Sequence, residues 1–169
     1  MSEVPTFEEF ASSRARKLFQ VAYLTCGDWH QAHDLVQTTL GNLFAVWPRL
    51  RRQGQVEHLD AYARKALLRT YLSHRRLRRS GELTVAQLPE RVAEPVTASE
   101  LRLTLVAALR QLPPRNRAVV VLRYLEDYSV EATAEALGAT PNAVRSLSVR
   151  SLAKLREVLG SESELLLRD

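Results

Sequence analysis

The chain has 169 residues, 46% of them apolar, which suits one medium domain or two small ones with packed cores. Its formal charge is +5 and its pI near 9.8, a balance that fits a nucleic-acid binder. Its single cysteine, Cys26, excludes an intramolecular disulfide, and no stretch reaches the roughly 20 apolar residues needed to span a membrane.

Cys26 suits a reducing compartment, and the acidic start MSEVPTFEEF lacks the basic and apolar regions of a signal peptide. A cytoplasmic protein without membrane insertion is therefore expected. Glycine is scarce and β-branched residues form no alternating runs, so the expected fold is all-α. Phe7, Phe10, Ala11, Leu18, Val21, Ala22 and Thr25 recur at helical spacing, with Gly27 where that helix would end. Asp28 reads as the cap of a second helix, with an apolar stripe of Ala32, Leu35, Val36, Thr39, Leu40, Leu43, Phe44 and Trp47. Pro48 is expected to stop it, leaving a loop from Arg49 to His58. Leu59, Tyr62, Ala63, Ala66 and Leu67 begin a third helix that runs into the cluster His74 to Arg79.

Residues 80–96 hold Gly81, Pro89 and Pro95 and read as a flexible linker between domains at 7–79 and 97–159. Thr97 to Glu100 matches a capping box, opening a helix of about 100–112 that ends at Pro113-Pro114. A further helix follows through Val119, Val120, Leu122 and Leu125. From Ser129 onward the pattern is that of a helix–turn–helix. Ser129 caps a short helix, Gly138 allows the turn, Thr140 caps the next helix and Pro141 occupies its first position. Val144, Leu147 or Ser148, Leu152, Leu155 and Leu159 face the core. The other face offers Asn142, Arg145, Ser146, Val149 and Arg150, where Arg suits guanine edges and Asn suits adenine. Taken alone, this segment also fits a structural helical hairpin with a solvated basic face.

Charge is segregated. Residues 49–79 hold ten Arg or Lys against two acids, and residues 81–100 hold one Arg against four Glu. A solubilising face does not need such density, because like charges at helical spacing repel. Arg64, Lys65, Arg69, Arg75, Arg76, Arg78 and Arg79 are therefore candidate phosphate contacts. Tyr62, Tyr71 and His74 lie among them and could stack on bases, although Tyr62 falls on the apolar stripe. Trp29 and Trp47 read as packing residues. No metal-ligand spacing, phosphate loop or catalytic constellation stands out, so no enzyme activity, metal or cofactor is expected.

Several segments together resemble the extracytoplasmic-function (ECF) sigma factors of the sigma-70 family. Gly27-Asp28, Ala32, Asp34-Leu35-Val36-Gln37 and Thr39 resemble the family's pattern G-D-x-x-x-A-E-D-L-V-Q-E-T, which belongs to its region 2. The stretch Leu59 to Leu67 resembles the melting and minus-10 helix. Its form Ala61-Tyr62-Ala63-Arg64-Lys65-Ala66-Leu67 is similar to that of an actinobacterial SigE-like subgroup. Leu109-Arg110-Gln111-Leu112-Pro113 with Arg117 resembles the opening of region 4, which Tyr128-Ser129, Ala134 to Gly138 and Val144-Arg145-Ser146 complete. His33 and Thr38 stand where the family often has Glu, and Leu147-Ser148-Val149 replaces a frequent R-L-H.

The resemblance implies a transcription initiation factor that binds core RNA polymerase and promoter DNA, with an anti-sigma factor as a further partner. It assigns Asp34, Gln37 and Thr38 to the polymerase clamp and the third helix to the unpaired minus-10 strand. It gives the loop Arg51 to His58 to an extruded base and the last helix to the minus-35 major groove. The competing reading from the residues is an autonomous helix–turn–helix regulator whose first 80 residues sense or dimerise. The basic cluster at 64–79 argues against it, since a sensor domain needs no second nucleic-acid surface.

Overall fold

The computed structural model describes residues 3–54, 58–80 and 100–160, with the side chains of 75–80 and 101 outside that description. Most of the expected linker, the capping box up to Ser99 and the tail from Ser161 therefore lie outside the described residues. Within them the secondary structure is helical throughout, as the patterning predicts.

Helix α1 (Phe7–Cys26) opens with a capping box the pattern reading had not singled out. Thr6 Oγ1 accepts from Glu9 N at 3.2 Å and Glu9 Oε2 accepts from Thr6 N at 2.9 Å, so two otherwise orphaned donors are satisfied. Gly27 ends the helix at φ +71°, and Asp28 caps α2 (Trp29–Arg52) by accepting from Gln31 N at 2.9 Å. A side chain on Gly27 would also meet the aliphatic part of Arg110 at 2.6 Å, so the turn requires glycine on two grounds.

Pro48 does not stop α2, which continues to Arg52. An interior proline costs a helix about 3 kcal/mol through its missing amide and ring clash. Beyond it, Leu50 lies on the same stripe as Leu43 and Trp47 and is buried. Burial of such a side chain contributes about 1.5–3 kcal/mol, and the closing bond from Gln53 N to Arg49 O adds to it. The expected loop thus shrinks to the residues after Arg52. Phe44 is a second departure: it is 61% exposed, not core. It sits at the edge of the stripe, where Phe7, the first residue of α1, meets its ring edge-on at 5.2 Å and covers only part of it.

Helix α3 (Leu59–Ser80) lies against both α1 and α2, with Leu67 and Leu68 fully buried. Buried Thr25 and Thr39 return their hydroxyls to the carbonyls of Val21 and Leu35, each at 2.7 Å, so neither leaves a polar atom unsatisfied.

Helices α4 (Glu100–Leu109), α5 (Pro114–Val120), α6 (Val130–Leu137) and α7 (Pro141–Leu159) form the second half. After α5 the chain runs through a π-helical turn, Val121–Leu125, where an ordinary helix was expected. Asp127 follows in the left-handed region at φ 57°, which a short polar side chain tolerates. This sharp turn leads into α6 and carries Glu126 and Tyr128 to the flank of α3, where Arg64 meets both.

The two halves pack directly on each other, α1 against α4 and α3 against α5 and α6. At their junction sits Arg117, a cation buried to 5% exposure. Its Nε donates to Leu109 O at 2.9 Å, at the end of α4, and its Nη2 to Leu112 O at 3.0 Å, in the turn that follows. Its Nη1 crosses to the other half, donating to Thr25 O at 2.6 Å and Tyr71 Oη at 3.1 Å. The guanidinium thus serves the C-terminal carbonyls of two helices, where the backbone partial charge is negative.

Candidate polymerase and nucleic-acid interfaces

The helix–turn–helix follows the local chemistry of its sequence. Ser129 Oγ accepts from Ala132 N at 3.0 Å, Gly138 turns at φ +63°, and Thr140 Oγ1 accepts from Ala143 N at 3.1 Å. Val144, Ser148, Ser151, Leu155 and Leu159 are buried, while Leu147 and Leu152 are half-buried, so the core stripe of α7 turns slightly from the one expected. Ser148 occupies a buried position because its hydroxyl donates to Val144 O at 2.7 Å.

That rotation leaves Asn142, Arg145, Ser146, Val149 and Arg150 all exposed on one face. Arg145 is held in place: its Nη1 donates to Asn142 Oδ1 at 3.0 Å and its Nη2 lies 3.7 Å from Glu131 on α6. Arg150 Nε reaches Ser146 O at 3.4 Å. Val149 is 70% exposed, an apolar surface of the kind that suits a thymine methyl group.

On α2, Asp34, Gln37 and Thr38 are exposed on one face, and Gly41, Phe44, Ala45 and Pro48 continue it. Exposed Phe44 is the member of this strip that pattern reading assigned to the core.

The basic face of α3 is not open solvent. Arg64 Nη1 lies 3.2 Å from Glu126 Oε2, and its guanidinium stands over the Tyr128 ring at 5.7 Å. Burial pushes Glu126 above the ordinary glutamate range, outweighing the opposing pull of Arg64 and Lys17. Tyr128 is likewise pushed upward, mainly by burial. Lys65 Nζ lies 3.3 Å from Glu135 Oε1, and Arg69 donates to Ala136 O at 3.2 Å and Glu135 O at 3.3 Å. Tyr71 is buried and bonded to Arg117, so it is no stacking platform in this arrangement. Tyr62 is half-buried, closer to its packing role. Trp47 is buried, and Trp29 is half-buried with its ring edge-on to Phe19 at 4.4 Å. The backbone of Arg75, Arg76, Arg78 and Arg79 continues α3, while their side chains lie outside the described residues, as do 55–57 of the expected base-binding loop.

Among the described residues no helix is long and apolar enough to cross a membrane. None of them form a group of three or more His, Cys, Asp or Glu that could hold a metal ion.

The described residues combine a capped helix–turn–helix with a second, basic helix, the architecture of a DNA-binding protein. Residues 102–155 match the family described as sigma-70, region 4. The chain is 36% identical to the RNA polymerase sigma-E factor of Streptomyces coelicolor, over 94% of this chain and 89% of that one. It is 31% identical to the ECF RNA polymerase sigma factor SigE of Mycolicibacterium smegmatis, over 95% of this chain and 64% of that one. The sigma factor RpoE of Bartonella quintana, solved in complex with the anti-sigma factor NepR, shares the fold at a TM-score of 0.72 and 21% identity, covering 92% of this chain and 98% of that chain. The chain belongs to the extracytoplasmic-function group of sigma-70-family RNA polymerase sigma factors. As such it is an initiation factor that works with core RNA polymerase on promoter DNA, and the autonomous-regulator reading is set aside.

Proposed function

We propose that this sigma factor divides promoter recognition among three faces. The strip of α2 around Asp34, Gln37 and Thr38 docks on the polymerase clamp. Helix α3 and the basic residues that end it, Arg75, Arg76, Arg78 and Arg79, hold the backbone of the unpaired minus-10 strand. Helix α7 enters the minus-35 major groove with Asn142, Arg145, Ser146, Val149 and Arg150. The two recognition units correspond to residues 7–79 and 97–159. The protein performs no chemistry of its own, acts in the cytoplasm and meets an anti-sigma factor as a further partner.

The observation that carries this reading is the face of α7. Five side chains of base-reading or groove-filling type are exposed together at the start of a capped helix, in a chain whose family initiates transcription. Arg145 sits in the second turn, where a recognition helix meets base edges. The test is promoter binding by the holoenzyme on a library randomised in the upstream element. Arg145→Ala should cost about 1–3 kcal/mol and relax preference at one or two upstream base pairs. Upstream preference left intact by Arg145→Ala would confine α7 to backbone contacts.

A further inference from the structure

Asn142 and Arg145 open the exposed face of α7, and Glu131 stands across from them in the first turn of α6. Arg145 Nη1 donates to Asn142 Oδ1 at 3.0 Å, and its Nη2 lies 3.7 Å from Glu131 Oε1. A guanidinium only donates, so the atom of Asn142 that meets it is necessarily the oxygen. That bond orients the amide: the oxygen is committed to Arg145, and the NH2 group is the part left for a base. Bidentate pairing with adenine needs both ends of an amide, the oxygen to accept from N6 and the nitrogen to donate to N7. With its oxygen engaged, Asn142 has only donors to offer. Arg145 also offers only donors, and its fork keeps N–H groups to spare beyond the one given to Asn142. The major-groove edge that presents two adjacent acceptors is that of guanine, at O6 and N7.

We infer that Glu131, Asn142 and Arg145 read the upstream element as one donor-only unit, in which Glu131 and Asn142 are positioning residues for Arg145 and the base read is guanine, not adenine. The inference rests on the reading of α7 as the major-groove helix. Glu131 belongs to α6, where the first turn of a helix favours a carboxylate. It holds Nη2 while Asn142 holds Nη1, so the fork is aimed from two sides before DNA arrives. A free arginine gives up its rotamer freedom on binding. One already held gives up less, a saving of about three- to tenfold in binding. In water these contacts are weak, since Arg145 keeps 55% and Glu131 71% of its side-chain surface exposed. DNA closing over them excludes that water and strengthens them. The same carboxylate repels the phosphates that flank the groove, so Glu131 lowers affinity for every sequence while sharpening the choice among them.

Selection by the holoenzyme from a promoter library randomised in the upstream element reads base preference position by position. Titration of the holoenzyme with a random-sequence duplex reads affinity without preference. The position at which Arg145→Ala loses preference is the Arg145 contact, and wild type should prefer guanine there. Glu131→Ala and Asn142→Ala should each lower that preference about three- to tenfold, with the circular dichroism spectrum unchanged. Asn142→Asp keeps an oxygen for Arg145 and should retain the preference, while its added charge weakens binding to every duplex. Glu131→Ala should bind the random duplex at least as tightly as wild type. Glu157→Ala makes the same charge change at an exposed site near the other end of α7 and should leave preference unaltered. A base other than guanine at the Arg145 position overturns the inference, and so does a preference unchanged in Glu131→Ala or lost equally in Glu157→Ala. Loss of preference at a separate A·T pair in both Asn142→Ala and Asn142→Asp overturns it as well, because Asn142 then reads adenine itself. Failure of the underlying reading looks different: Arg145→Ala leaves upstream preference intact, and no Arg145 position exists for the other variants to alter.

Discussion

Replacing Arg117 with methionine should be among the most destabilising single changes outside the apolar core, and its size can be worked from the contacts. The guanidinium makes four hydrogen bonds at 2.6–3.1 Å to other described residues while 5% exposed. A bond from a charged donor contributes about 1.5–3 kcal/mol, so the gross interaction is on the order of 6–12 kcal/mol. Returning the cation to water on unfolding recovers several kcal/mol. Methionine fills much of the volume but leaves the carbonyls of Thr25, Leu109 and Leu112 short of a donor. The expected net loss is about 3–5 kcal/mol, a large part of the 5–15 kcal/mol typical of a folded domain. Arg117→Lys should not restore it, because a compact ammonium cannot reach acceptors spread over two helix ends and a phenol. Tyr71→Phe removes the acceptor of one of these charged-donor bonds and should cost about 1.5–3 kcal/mol. Urea unfolding followed by circular dichroism gives both values, with the slope reporting whether the native state has changed in compactness. A loss below about 1 kcal/mol for Arg117→Met would refute the reasoning, since the four acceptors would then be satisfied without it.

Asp34→Lys combined with Gln37→Ala should lower core-polymerase affinity about tenfold, roughly 1.4 kcal/mol, while leaving the circular dichroism spectrum and melting temperature unchanged, because both side chains are exposed; unchanged affinity would remove the clamp assignment. Thr140→Ala deletes the cap on Ala143 N and should cost about 1 kcal/mol of stability, read by thermal or urea unfolding, with α7 the first helix to fray. Glu126 is pushed upward in the folded chain, so between its ordinary value of about 4.3 and the raised one the folded state binds more protons than the unfolded. The stability it contributes is complete below that window and is lost as pH rises through the raised value. Melts of wild type and Glu126→Gln should run closest together below that window and separate as pH rises through it, the wild type becoming the less stable relative to the variant, and parallel curves would contradict it.

What could be read from the sequence follows how local the determinant is. Gly27, Asp28, Ser129, Gly138, Thr140 and Pro141 mark helix ends because a cap or a left-handed turn is settled within four residues, and each is found in that role. The exposed face of α7 was legible for the same reason, since helical spacing from those caps fixes which side faces out. Pro48 misled because its penalty is local while the compensating burial of Leu50 depends on distant partners. Phe44 misled because its exposure depends on where α1 begins.

The same distinction separates the faces of the site. Arg64, Lys65 and Arg69 announce a surface that attracts anions, and sequence spacing is enough to place them near one another on α3. Which anion sits there depends on contacts 66 to 70 residues away for Lys65 and Arg69, which no local pattern encodes. Arg117 shows the limiting case. It stands beside the apolar run Ala118 to Leu122, where a cation has no reason to be unless something buried needs its donors. Four acceptors on three separate stretches of chain supply that reason. A charged residue set against a core helix is therefore a sequence signal for a junction, and here it marks where α1 and α3 meet the end of α4.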